Sequence, residues 1–220
     1  MVYDYPTFSG RHFQGVITGD GITSETFEMR TYTEKDKPEL STQGQYLAEA
    51  SVVTTSGLTF YGIPPRSEVR IVFTIDSLMP GVLVSRAEMK SFGSSVGRKH
   101  SVRSAASLIR DIFPPMAPHD PAAGAEISYS CPAGTSPVSA EQDDTRVRVS
   151  WADKRAGIAL VSSVGNTTFG LPTLQTCKIS RQQKARFHYD KRLFVDCSTS
   201  LTIVLNEKTT NILIMTEGVE

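Results

Sequence analysis

Hydrophobic and polar positions alternate with a period of two along most of the chain. That is the spacing of a strand with one dry and one wet face. The clearest run is SEVRIVFTID (67–76), where Val69, Ile71, Phe73 and Ile75 occupy every second place. TRVRVSW (145–151) sets Val147, Val149 and Trp151 against Arg146, Arg148 and Ser150. TFEMRTYT (26–33) sets Phe27 and Met29 against Arg30 and Tyr32. RLFVDC (192–197), SLTIVLN (200–206) and NILIMT (211–216) follow, and the last two predict a terminal hairpin. Weaker strand patterns fall near 13–18, 50–54, 58–62, 81–86, 125–130, 157–163 and 173–180. Gly19-Asp20-Gly21, Ile63-Pro64-Pro65, Pro80-Gly81, Pro132-Ala133-Gly134 and Gly165-Asn166 supply turns between them.

One segment breaks this period. In SVRSAASLIRDIF (101–113), Val102, Ala105, Leu108, Ile109 and Ile112 form a helical stripe, with Arg103, Ser104, Ser107 and Arg110 facing away. Ser101 suits the N-cap, and Pro114-Pro115 stops the helix. A helical turn is also expected at 43–49. FPPMAPHDPAAGAE (113–126) is rich in proline and predicts an extended connector. The expected fold is therefore mainly β: an antiparallel β-sandwich or jelly-roll-like barrel with one α-helix at about 101–113. One domain over 1–220 is expected, with a subdivision into 1–113 and 125–220 as the alternative.

Composition adds exclusions. With 39% hydrophobic and 21% charged residues, the chain can build a core, which argues against wholesale disorder. The start, MVYDYPTFSG, has no signal-peptide pattern, and no apolar run is long enough to span a bilayer. Cys131, Cys177 and Cys197 form no CxxC pair. Reduced thiols, no metal site and a cytoplasmic (host-cell) or virion location are expected, without secretion.

Charge changes the picture more. The net charge is zero, but the charges are segregated. Lys90, Arg98, Lys99, Arg103 and Arg110 fall in 90–110 with no acid. Lys178, Arg181, Lys184, Arg186, Lys191 and Arg192 fall in 178–192 against Asp190 alone. Two basic islands in an otherwise acidic chain point to a polyanion or anionic lipid, provided they share one face. The expected contact residues are Lys90, Arg98, Lys99, His100, Arg103, Lys178, Arg181, Lys184, Arg186, Lys191 and Arg192. In the second island Phe187 is expected in the core, while Tyr189 could stack on a base.

Catalytic patterns fail on spacing. SFGSSVGRKHS (91–101) approaches a phosphate loop, but three residues, not four, separate Gly93 from Gly97, and Arg98 stands in the lysine place. No repeated βαβ pattern follows. His12, His100, His119 and His188 form no recognisable triad or metal pair with the cysteines or serines. The expected function is a viral-type structural protein of matrix, coat or movement kind. It would self-associate and touch single-stranded RNA or an anionic membrane, with no cofactor. A binding module for a protein or glycan is the alternative, and an enzyme with an unrecognised site ranks below both.

Overall fold

The computed structural model describes residues 8–40, 47–74, 83–113, 126–132, 142–170 and 176–219. The first half forms β1 (Arg11–Gly19), β2 (Ile22–Thr33), β3 (Leu47–Thr54), β4 (Ser67–Thr74), β5 (Leu83–Ser91) and β6 (Arg98–Lys99). Helix α1 (Val102–Ile112) follows. The second half forms β7 (Glu126–Pro132), β8 (Gln142–Asp153), β9 (Ile158–Gly170), β10 (Thr176–His188), β11 (Leu193–Leu205) and β12 (Lys208–Val219). The proline-rich segment 114–125, His119 and most of 43–49 lie outside the described residues, and 47–49 belong to β3.

All twelve strands join one antiparallel sheet, in the order β6-β5-β4-β3-β2-β1-β12-β11-β10-β9-β8-β7. The mainly β, antiparallel, one-helix character read from the sequence holds. The layers are a single sheet and a helix: two meanders meet where β1 pairs with β12, Val16 opposite Met215. Turn chemistry sets these hairpins. Asn206 and Glu207 both take positive φ, 49° and 64°, and form the two-residue loop between Leu205 and Lys208. Such turns carry the twist that neighbouring strands need. β11 is one continuous strand where two short ones were expected.

The sheet curls around the helix. α1 packs against β5 on one wing and against β11 and β12 on the other. β5 and β11 stand six steps apart in the strand order. In a flat sheet that is about 29 Å, far wider than a helix of about 10–12 Å. Strand twist and coiling close this gap and give a barrel-like wrap. Inside, Ala105, Leu108, Ile109 and Ile112 of α1 join one hydrophobic cluster with Val69, Ile71 and Phe73 of β4 and Val147 and Val149 of β8. Phe113, at the helix C-cap, sits edge-on to Phe8 at 5.4 Å and Phe13 at 5.3 Å between ring centres.

The expected strand at 58–62 is instead a 3-10 turn, Thr59–Tyr61. Glu25, buried on β2, accepts a hydrogen bond from the Thr59 N–H at 2.9 Å. Gly62 closes the turn at φ 69°. This carboxylate holds the turn at the mouth of the wrapped sheet, with Phe60 outward and Tyr61 inward.

Candidate anion-contact surface

Strand parity decides where each basic residue goes. On β10, Arg181, Gln183, Ala185 and Phe187 face the helix and are buried, whereas Lys178, Gln182, Lys184 and Arg186 face out and are exposed. Arg181 is 4% exposed and its Nε donates to Asp111 Oδ1 of α1 at 2.6 Å. This corrects the expectation that Arg181 meets a ligand: it is a buried charge satisfied within the fold. Its signal was present in the sequence, because Arg181 shares parity with Ala185 and Phe187.

Asp111 also accepts from the Tyr61 hydroxyl at 2.9 Å. Gln183 Nε2 donates to the Arg110 carbonyl at 2.9 Å, and Thr199 Oγ1 to the Asp111 carbonyl at 2.7 Å. Burial and the neighbouring Asp111 charge push the Tyr61 hydroxyl well above its usual range. The network pins the end of α1 to both wings.

Phe187 is in the core, as expected. Tyr189 is committed too: its ring packs against Phe187 at 5.0 Å and Trp151 at 5.8 Å. For Tyr189, where core packing and base stacking both stood open, the half-buried ring packs against the core.

The outward basic residues do not merge into one patch. Cross-strand pairing links a single outer row from β5 to β10: Lys90, Glu68, Val53, Glu28, Gln14, Glu217, Asp196 and Arg186. Lys90 and Arg186 thus share the outer face, with four carboxylates between them. Glu68 takes Arg70 at 3.0 Å and Lys90 at 3.6 Å. Burial raises the Glu68 carboxyl, but bonds from Arg70 and Ser51 outweigh it and hold its pKa below the usual range. Asp196 pairs with Arg186. Lys191 and Arg192 are exposed on the β10–β11 turn, beyond this row. The acidic row divides the two islands electrostatically.

The first island lies at the surface. Arg98 and Lys99 are exposed on β6, and Arg103 is exposed on the first turn of α1. Lys99 stands opposite Glu88. His100 differs: its backbone N–H donates to Ala87 O at 3.0 Å, its ring is hydrogen-bonded to the Tyr61 backbone, and its buried Nε2 has no hydrogen-bond partner. Burial lowers its pKa, which favours the neutral ring, so His100 supplies no cation at neutral pH. Ser101 caps α1 by accepting from the Ser104 N–H at 3.2 Å.

What sequence reasoning missed is the apolar partner of this island. Phe92 is 40% exposed, Val96 70% and Phe60 36%. Phe92 N donates to the Arg66 carbonyl at 2.8 Å, and Arg66 N to Thr55 O at 3.2 Å, which ties the 92–100 loop to the loop carrying Phe60. Arg66, Arg98, Lys99 and Arg103 are likewise exposed, on these two loops and on the first turn of α1 that follows them. The signal was available: FGSSVG places Phe92 and Val96 in a turn-rich segment, where no strand or helix buries them.

No protein-family model, no curated protein and no solved structure matches the chain. Among the described residues no group of three or more His, Cys, Asp and Glu side chains could hold a metal, and no helix is long and apolar enough to cross a membrane. His12 Nε2 lies 3.4 Å from Glu28, and His188 Nδ1 lies 3.5 Å from the Lys191 N–H. Neither has a serine or cysteine nucleophile among its described polar partners. Burial drives the thiols of Cys177 and Cys197 toward the unreactive protonated form, Cys197 up to about 12.

Proposed function

We propose that the chain is a peripheral contact protein that docks on an anionic membrane through the 55–66 and 92–100 loops. The observation that carries it is the exposure of Phe92 and Val96 on a loop that also carries exposed Arg98 and Lys99 and is hydrogen-bonded through its backbone to exposed Arg66. Apolar side chains at loop tips gain by entering the headgroup boundary, and flanking cations add about 1 kcal/mol each near an anionic surface. This favours lipid over single-stranded RNA. Val96, the most exposed of the three apolar side chains, offers no ring for a base to stack on but suits the headgroup boundary. Of the matrix, coat and movement readings, the matrix-like one suits such a surface best: apolar loop tips with neighbouring cations set against lipid.

Co-sedimentation with vesicles tests it. The protein is expected to pellet with phosphatidylserine/phosphatidylcholine vesicles and not with phosphatidylcholine alone. Val96→Asp, and separately Arg98→Glu with Lys99→Glu, should each weaken binding by about tenfold or more. Equal binding to both vesicle types, or tighter binding to single-stranded RNA than to anionic vesicles, would overturn the reading. Light scattering on the same samples tests the self-association expected of a matrix-like protein.

A further inference from the structure

The outer face carries a recess, distant from the membrane loops in the strand order. It lies over β9, β10, β11, β12 and β1 and encloses about 640 Å³. That is within the range of small-ligand sites. Its floor is explained by cross-strand neighbours. Val16, Met215, Ser198 and Lys184 form one row, and the row of Glu217, Asp196 and Arg186 runs beside it. Small Ser198 sits at the centre with longer side chains on every side. Met215, 45% exposed, and Val16 make an apolar shelf at one end.

The charges on this recess are incompletely matched. Glu217 and Asp196 stand directly opposite each other on β12 and β11. Two carboxylates in that relation repel. Arg186 engages Asp196, and no described residue engages Glu217. On β10, Lys184 is likewise without an ion-pair or hydrogen-bond partner among the described residues. A free anion and a free cation thus face one recess from opposite sides of β11. Two strand steps and a two-residue offset put their backbones about 12 Å apart. An extended tripeptide spans about 10 Å.

We propose that this recess binds a short peptide with free termini. Its ammonium meets Glu217, its carboxylate meets Lys184, and an apolar side chain rests on Met215 and Val16. The charge layout selects this class: a simple anion would meet two carboxylates, and a simple cation would leave Lys184 unmatched. The inference is independent of membrane docking, which uses other loops.

The probe is the tripeptide Ala-Leu-Ala, with its N-acetylated and C-amidated forms, added at millimolar concentration to the full chain. The Met215 methyl resonance is followed by NMR. The free peptide should shift it saturably. N-acetylation or Glu217→Gln should each weaken binding about tenfold, and the two together no more than either alone. C-amidation and Lys184→Gln should behave in the same paired way. The absence of a saturable shift would overturn the proposal. So would a shift indifferent to acetylation and to Glu217→Gln, because binding would then not use the charge pair. Both substitutions lie on the exposed face, and the peptide caps test the same contacts without altering the protein.

Discussion

Arg181 on β10 and Asp111 on α1 form an ion pair inside the curled sheet, at 2.6 Å and with both side chains almost wholly removed from solvent. A buried pair of this kind locks a geometry more than it adds stability, because both charges lose their water. Removing one partner exposes that loss. Asp111→Leu should lower stability by about 3–5 kcal/mol in urea unfolding, and Arg181→Met by a similar amount. The double variant should recover much of the deficit. A double variant as unstable as the sum of the singles would show that the pair is not coupled.

Gly15 is opposite Phe27, whose ring fills the space where a side chain would stand. A Cβ at position 15 would come within 2.2 Å of the Phe27 Cζ. Gly15→Ala should destabilise by about 1–3 kcal/mol in a thermal or urea melt. Gly15→Ala combined with Phe27→Leu should be less unstable than Gly15→Ala alone, since the shorter side chain frees that space.

Alkaline pH should weaken the fold in two stages. Burial raises the Cys197 thiol from 9.0 to about 12. Its folded-state pKa exceeds its unfolded one, so the contribution is complete below about 9 and is lost between about 9 and 12. Tyr61 is also raised, by burial and by Asp111, and adds a further loss above 10. Cys197→Val should flatten the first stage of a stability-against-pH curve. In the folded wild type, Cys197 should resist a thiol reagent until the chain unfolds.

Acid acts through His100. Burial depresses its pKa below 6.5, so its contribution is present above that value and lost as pH falls through the lower folded-state pKa. An NMR titration should place the His100 midpoint below 6.5. His100→Gln should reduce the loss of stability on going from neutral to mildly acidic pH.

The sequence carried the faces of the elements well and their neighbours poorly. Period-two spacing placed Val69, Ile71 and Phe73 in the core and Arg146 and Arg148 outside, and the structure agrees. The 3.6-residue stripe and the Ser101 cap located α1 to within a residue or two. Periodicity reports which side of a strand is dry, not which strand lies beside it. The pairing of Val16 with Met215 and the Asp111–Arg181 contact were therefore invisible. Arg181 misled because a basic run suggests a solvated surface, whereas alternation puts every second member inside. The turn at Thr59–Tyr61 misled because its fixing carboxylate, Glu25, comes from a distant strand.

The pairing of the first and last strands also sets a timetable. Within each meander, successive strands form hairpins with near neighbours, which close quickly. β1 alone among the first strands must wait for β12, the final strand of the sheet to emerge during synthesis. Until then one flank of β1 is an open ladder in the middle of the future sheet, and chaperone protection or intermolecular pairing would concentrate there. A circular permutant opened between β6 and β7, with β12 joined to β1 by a short turn, would convert that long wait into one more hairpin and should refold faster.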